Sequence, residues 1–118
     1  MKVNEIIADV RNTCRGIALD DDQLIKMLRE LEGRLYSSIY ESYEDAPVYT
    51  PVEDCSSSLL IPEEYADVYR YWLSSKIYLS VGDYDRYNTF ASLYATALDA
   101  FKCFYIRNHM PKRVNIRY

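Results

Sequence analysis

Residues 59–111 read LLIPEEYADVYRYWLSSKIYLSVGDYDRYNTFASLYATALDAFKCFYIRNHMP, two capped helical stretches that together hold eight tyrosines and no catalytic signature. The first opens at Pro62, whose missing N–H costs nothing in a first turn, and Glu63 and Glu64 put negative charge beside the positive end of the helix dipole. It is expected to run to about Val81, because Gly82 easily takes the left-handed conformation that ends a helix. Asp83 then caps the second helix through the backbone N–H of Asp85 or Arg86, and no Gly or Pro interrupts the pattern until Pro111. The stretch therefore predicts a tight helical hairpin.

In the second helix Tyr87, Phe90, Ala91, Tyr94, Ala97, Leu98, Phe101 and Tyr105 recur at steps of three and four, the mark of one helix face. Arg86, Thr89, Ser92, Thr96, Asp99 and Lys102 make the opposite, polar face. The first helix carries two adjacent stripes, Ala66, Tyr69, Leu73, Ile77 and Ser80 beside Tyr65, Val68, Trp72 and Leu79. A helix apolar over more than half its circumference either sits centrally or meets a second protein.

Outward from the hairpin, Val3, Ile6, Ile7, Val10 and Cys14 predict a short amphipathic helix that Gly16 ends. Asp20 caps the next helix, with Asp21 and Asp22 in its first turn and Gln23 completing a capping-box-like arrangement. Its buried stripe is Leu24, Leu28, Leu31, Leu35 and Ile39, flanked by Ile25, Met27, Tyr36 and Tyr40. Lys26, Arg29, Glu30, Glu32 and Arg34 form the polar face. Gly33 lies inside and weakens the helix by about 1 kcal/mol relative to Ala. From Glu44 to Ile61 the periodicity stops, giving a loop of about 18 residues where bundle connections are usually much shorter. Two readings stand: a floppy surface loop, or a segment ordered in an assembly, since Val48, Tyr49 and Thr50 lie in a PVYTPV run suited to adding to a partner's strand. Past Pro111, KRVNIRY alternates Val114, Ile116 and Tyr118 with Asn115 and Arg117, an extended C-terminal tail over 111–118.

The expected architecture is thus all-α, a single domain over residues 1–118, built as a small bundle of about four helices. At 118 residues such a chain buries enough surface for a core without metal or disulfide. A net charge of −4 argues against broad nucleic-acid binding through a basic face. The charge is uneven: twelve acids face Lys26, Arg29 and Arg34 between Asp20 and Glu64, whereas Ala100 to Tyr118 holds five bases and no acid. Solvated helix faces account for much of such asymmetry, and a basic tail can also dock on an acidic partner.

Cys14, Cys55 and Cys103 form no CxxC pair, so neither a disulfide framework nor a zinc site is indicated, and a reducing compartment is expected. No run of 18 apolar residues suggests a membrane span. His109 is the single histidine, and a helical spacing of six sets it about 240° around from Cys103. The Asp20–Asp22 and Asp83/Asp85 groups sit where helix N-termini need anionic caps. Gly16, Gly33 and Gly82 are too dispersed to cradle phosphate. The expectation is a non-enzyme with no catalytic, cofactor or metal residues. Thirteen tyrosines, with apolar rings and polar tips, suit surfaces that are buried but wet. Tyr69, Tyr87, Tyr94 and Tyr105 fall on the buried stripes; Tyr71, Tyr78 and Tyr84 do not, and are expected at subunit contacts.

The order of short helix, Asp-capped long helix, long proline-containing loop, the run LLIPEEYADVYRYWLSSKIYLSVGDYDRYNTFASLYATALDAF and a basic tail resembles the small head–tail connector (adaptor) proteins of tailed bacteriophages. The residues that carry it are Pro62 and Tyr65 at the hairpin start, the Tyr69 to Ile77 helix, and Asp83 to Phe101 with Tyr87 and Asn88 near the turn. It covers nearly the whole chain as a pattern of helices and aromatic positions.

The resemblance implies a structural virion protein, made in the bacterial host cytoplasm and located in the phage neck. It would form a homo-oligomeric, dodecameric ring beneath the portal protein and meet a tail or stopper protein. The ring would extend a channel through which DNA passes without sequence-specific binding, with no membrane and no cofactor. Lys112, Arg113, Val114, Ile116, Arg117 and Tyr118 would be the tail laid on the portal, and the acidic segment Glu41 to Asp54 would line the channel. The alternative from the residues alone is a cytosolic helical-bundle interaction or regulatory protein that binds a single protein partner.

Overall fold

A computed structural model of the chain describes residues 2–43 and 46–109, and it is all-α. Its four helices are α1 (Val3–Thr13), α2 (Asp21–Leu35), α3 (Asp67–Ser80) and α4 (Tyr84–Asn108). The boundaries follow local chemistry. Gly16 and Gly82, after α1 and α3, adopt φ of 86° and 79°, the left-handed region that side chains with a Cβ disfavour. Asp20 accepts from the Asp22 N–H at 3.2 Å to cap α2, and Asp83 accepts from the Arg86 N–H at 3.2 Å to cap α4. The helix expected to open at Pro62 begins later: Pro62 leads into a 3-10 turn, Glu63–Tyr65, and the α-helix starts at Asp67.

α2 does not stop at Leu35 but widens into a π turn over Tyr36–Tyr40, closed by the Glu41 N–H on the Tyr36 carbonyl at 2.9 Å. Ile39 and Tyr40 of this turn are both buried. α3 is central, packing on α1, on α2 and most extensively on α4. The core joins Val3, Ile6 and Val10 of α1, Leu24, Leu28, Leu31 and Leu35 of α2, and Val68, Tyr69, Leu73 and Ile77 of α3. Arg70 ties α3 to α1 through Asp9 at 2.8 Å.

The described part of the long loop, residues 46–61, is tied to the bundle. Val52, Leu59 and Ile61 are buried in the core. The carbonyls of Ser57 and Cys55 accept the Val3 and Asn4 N–H groups, each at 3.0 Å, so the loop caps the otherwise unsatisfied first turn of α1. Arg29 donates to the Val52 carbonyl at 2.6 Å.

Glu32 anchors the loop's far end. The sequence pattern puts it on the polar face of α2, but it is 1% exposed. Its carboxylate accepts from the Tyr69 hydroxyl at 2.5 Å and from the Leu60 N–H at 2.9 Å. The Tyr69 oxygen accepts the Ile61 N–H at 2.9 Å, and Tyr40 donates to the Leu60 carbonyl at 3.2 Å. These four hydrogen bonds satisfy polar groups that burial would otherwise orphan. Burial raises the Glu32 carboxyl above its ordinary range, with the Tyr69 and Leu60 donors pulling it partly back. The same burial, with Glu32 as neighbour, pushes the Tyr69 hydroxyl upward.

Candidate subunit interface

The hairpin tip is where apolar side chains meet solvent. Leu79 is 39%, Val81 53% and Tyr84 63% exposed, all within six residues around Gly82. Three exposed large apolar side chains thus fall in one turn, the kind of grouping from which a candidate contact surface is read. The turn that presents them is held by its own chemistry: Arg86 reaches back to the Asp83 carboxylate at 3.3 Å, and the Asp83 N–H donates to the Tyr78 carbonyl at 3.0 Å.

α4 continues that surface. Of its 25 residues, Phe101 and Tyr105 are the buried ones. Both lie in an aromatic cluster at the helix's C-terminal end, where the Tyr40 and Tyr43 rings each stand 4.8 Å from Tyr105 and the Tyr65 ring 4.9 Å from Phe104. Rings at these tilted separations pack favourably. Toward the N-terminal end the predicted stripe stays half-buried, with Tyr87, Phe90, Tyr94, Ala97 and Leu98 packed against the core and Ala91 half-buried beside them. Burial pushes the Tyr94 hydroxyl up, with Arg34 nearby working in the opposite sense. Leu93 is 40% and Ile106 60% exposed on the same helix.

The three tyrosines expected at subunit contacts separate. Tyr84 is at the exposed tip. Tyr71 is half-buried, its ring 6.2 Å from Phe90. Tyr78 corrects the sequence reading, because it belongs to the core. It is 7% exposed, stacks on Phe90 at 5.6 Å with planes 10° apart, and donates to the Thr13 carbonyl at 3.3 Å. The stripe assignment missed it because α1 covers α3 on that side, a tertiary contact that periodicity does not contain.

The loop contacts divide similarly. Val48, 88% exposed, and Thr50 face solvent. Tyr49 turns back, its ring 5.1 Å from Tyr36, and its hydroxyl lies 3.4 Å from where a Cβ on Gly33 would stand. Lys112, Arg113, Val114, Ile116, Arg117 and Tyr118 lie outside the described residues.

Beside the tip runs a groove of about 460 Å³ between the α1–α2 connection, the first turns of α2 and the end of α3. Leu24 and Ile77 form its floor, with Ile17, Leu19 and Met27 half-buried along it, and Val81 of the tip forms one edge. Asp20, Lys26 and Glu30 stand exposed on the α2 wall. Sequence reading passed over this feature; its signal was the pair of apolar residues Ile17 and Leu19 in a connection that polar residues would serve equally well.

Among the described residues no group of three or more His, Cys, Asp or Glu side chains is placed to hold a metal ion. No described helix is long and apolar enough to cross a membrane. Cys14 is buried, Cys55 half-buried and Cys103 exposed, and none is disulfide-bonded. Comparisons of the chain with protein-family models, with curated proteins and with solved structures return no match.

Proposed function

We propose that this chain is a head–tail connector protein of a tailed bacteriophage, a structural component that assembles as a ring beneath the portal and carries the DNA channel toward the tail. The observation that carries the reading is α4: a 25-residue helix with an eight-residue apolar stripe, of which Phe101 and Tyr105 alone are buried within the chain. A helix of about 37 Å whose aromatic face is half covered by its own domain is built to be completed by a neighbour. The exposed apolar tip at Leu79, Val81 and Tyr84 points to the same use. Contacts of this kind between different faces of identical subunits propagate head-to-tail and close into a ring when the rotation allows. Glu41, Glu53 and Asp54 are exposed carboxylates on the acidic segment. In the proposed ring they face the channel, where like charge keeps DNA from adhering.

Native mass spectrometry and negative-stain imaging of the protein, alone and mixed with the portal of the same phage, test this. Rings of about a dozen copies, captured with the portal, are the expected result. A chain that stays monomeric at high concentration and fails to co-purify with the portal overturns the reading and leaves the single-partner helical bundle in its place.

A further inference from the structure

Between the end of α1 and the first turns of α4 lies an open cleft of about 490 Å³. Its least exposed lining residues are Tyr78 and Phe90, the stacked pair. Two guanidiniums line it, Arg15 from just beyond α1 and Arg86 from α4, and no carboxylate does. The groove beside the hairpin tip differs in this, with Asp20 and Glu30 against Lys26.

The two arginines are placed to serve a ligand. Arg86 is held from two sides, by the Asp83 carboxylate at 3.3 Å from one terminal nitrogen and by the Tyr78 ring, whose centroid lies 5.5 Å from the guanidinium carbon. Its remaining N–H donors are left for a third partner. Arg15 is exposed, and no ion pair among the described residues uses it. Asn12 adds a side-chain amide on the α1 wall. The carbonyls that end α1 here are partly spent, Thr13 on the Tyr78 hydroxyl at 3.3 Å and Cys14 on the Ile17 N–H at 3.4 Å, which lessens their repulsion of an anion.

Charge then selects the anion. A guanidinium fork fits carboxylate or phosphate oxygens alike. One carboxylate neutralises one of the two arginines, whereas a terminal phosphate, close to −2 above its second pKa near 6, neutralises both. An extended polyanion is disfavoured by Asp83 and Asp85 at the start of α4, by Asp9 on α1 and by a net charge of −4.

We propose that this cleft binds a small phosphate monoester, with Arg15 and Arg86 on the phosphate oxygens, the Asn12 amide donating to another, and Phe90 against the carbon skeleton. The site stands whether or not the chain forms rings.

Ligand-observed phosphorus-31 NMR on the full chain, with phenyl phosphate as the probe, tests this for monomer and ring alike. Saturable line broadening is expected, with a Kd of about 0.1–1 mM. Sulfate, a dianion, competes; benzoate, a monoanion with the same ring, does not. Arg15→Gln and Arg86→Gln each weaken binding about tenfold with circular dichroism unchanged, both side chains being exposed. Lowering the pH from about 7.5 to about 5.5 weakens phenyl phosphate roughly threefold as it takes up a proton, and leaves the competition constant of sulfate where it was. No saturable broadening up to about 10 mM probe, or unchanged affinity in both folded variants, overturns the site. Benzoate competing as well as sulfate overturns the dianion assignment, and a single-stranded DNA oligonucleotide displacing the probe at submicromolar concentration overturns the small-ligand assignment.

Discussion

α2 and α4 carry apolar stripes of the same kind and meet opposite fates. In α2, six of 15 residues are buried, including the carboxylate of Glu32; in α4, two of 25 are. α2 is covered by α1, by α3 and by the loop that folds back over it, whereas α4 packs chiefly on α3 and on the aromatic cluster at its end. An amphipathic pattern states that a face needs cover. It does not state which chain provides it. The half of the molecule around α2 covers its own apolar stripe, and the half around α4 keeps its stripe half-exposed within the chain.

That contrast breaks most sharply at Glu32. Glu32→Leu leaves the Tyr69 hydroxyl and the Leu60 N–H buried without an acceptor, and is expected to cost about 2–4 kcal/mol in urea unfolding. A loss below about 1 kcal/mol would show that the network does not hold the α2 half together.

Stability should also depend on pH through the same residue. Burial raises the folded Glu32 carboxyl above its unfolded value. The folded state therefore binds the extra proton more tightly than the unfolded chain does. This contribution is fully present below the ordinary carboxylate range and is lost as pH rises through the raised value. Within that window it falls by at most about 1.4 kcal/mol per pH unit. Glu32→Gln, which takes no proton, should remove that slope from a series of unfolding midpoints. An unchanged slope assigns it to other groups.

Gly33→Ala sharpens the same half. The added Cβ meets the Tyr49 hydroxyl at 3.4 Å, close to ordinary contact, and the gain in helix propensity is worth up to about 1 kcal/mol. Destabilisation instead would mean that Tyr49 sits too tightly to yield. The smallest effect belongs to the other half. Tyr84→Ser and Leu93→Ser should leave unfolding of the isolated chain within about 0.5 kcal/mol of the parent while reducing its assembly. A large stability loss would place those side chains in the fold.

Much of the fold was legible residue by residue. Asp20 and Asp83 cap, Gly16 and Gly82 terminate, and the stripes of α1 and α2 bury as their periodicity requires, since each depends on neighbours within a turn or two. Glu32 was misplaced for a physical reason: nothing in its local sequence distinguishes it from Glu30, and its burial depends on Tyr69, 37 residues away. Tyr78 was misplaced because α1 covers it, and the loop over 46–61 was left open because its order comes from contacts with α1 and α2. The exposure of Tyr84 was legible, since it falls off the stripe. The groove was not, because three separate segments form it.

Local chemistry within the chain was enough to establish an all-helical hairpin architecture, its breaks and its caps, because backbone geometry and helix-end hydrogen bonds act over three or four residues. The tertiary structure decided which apolar faces are satisfied and which stay open. Burial is a sum over distant segments: it draws Glu32 and Tyr78 into the core and leaves most of α4 and the hairpin tip partly or fully exposed.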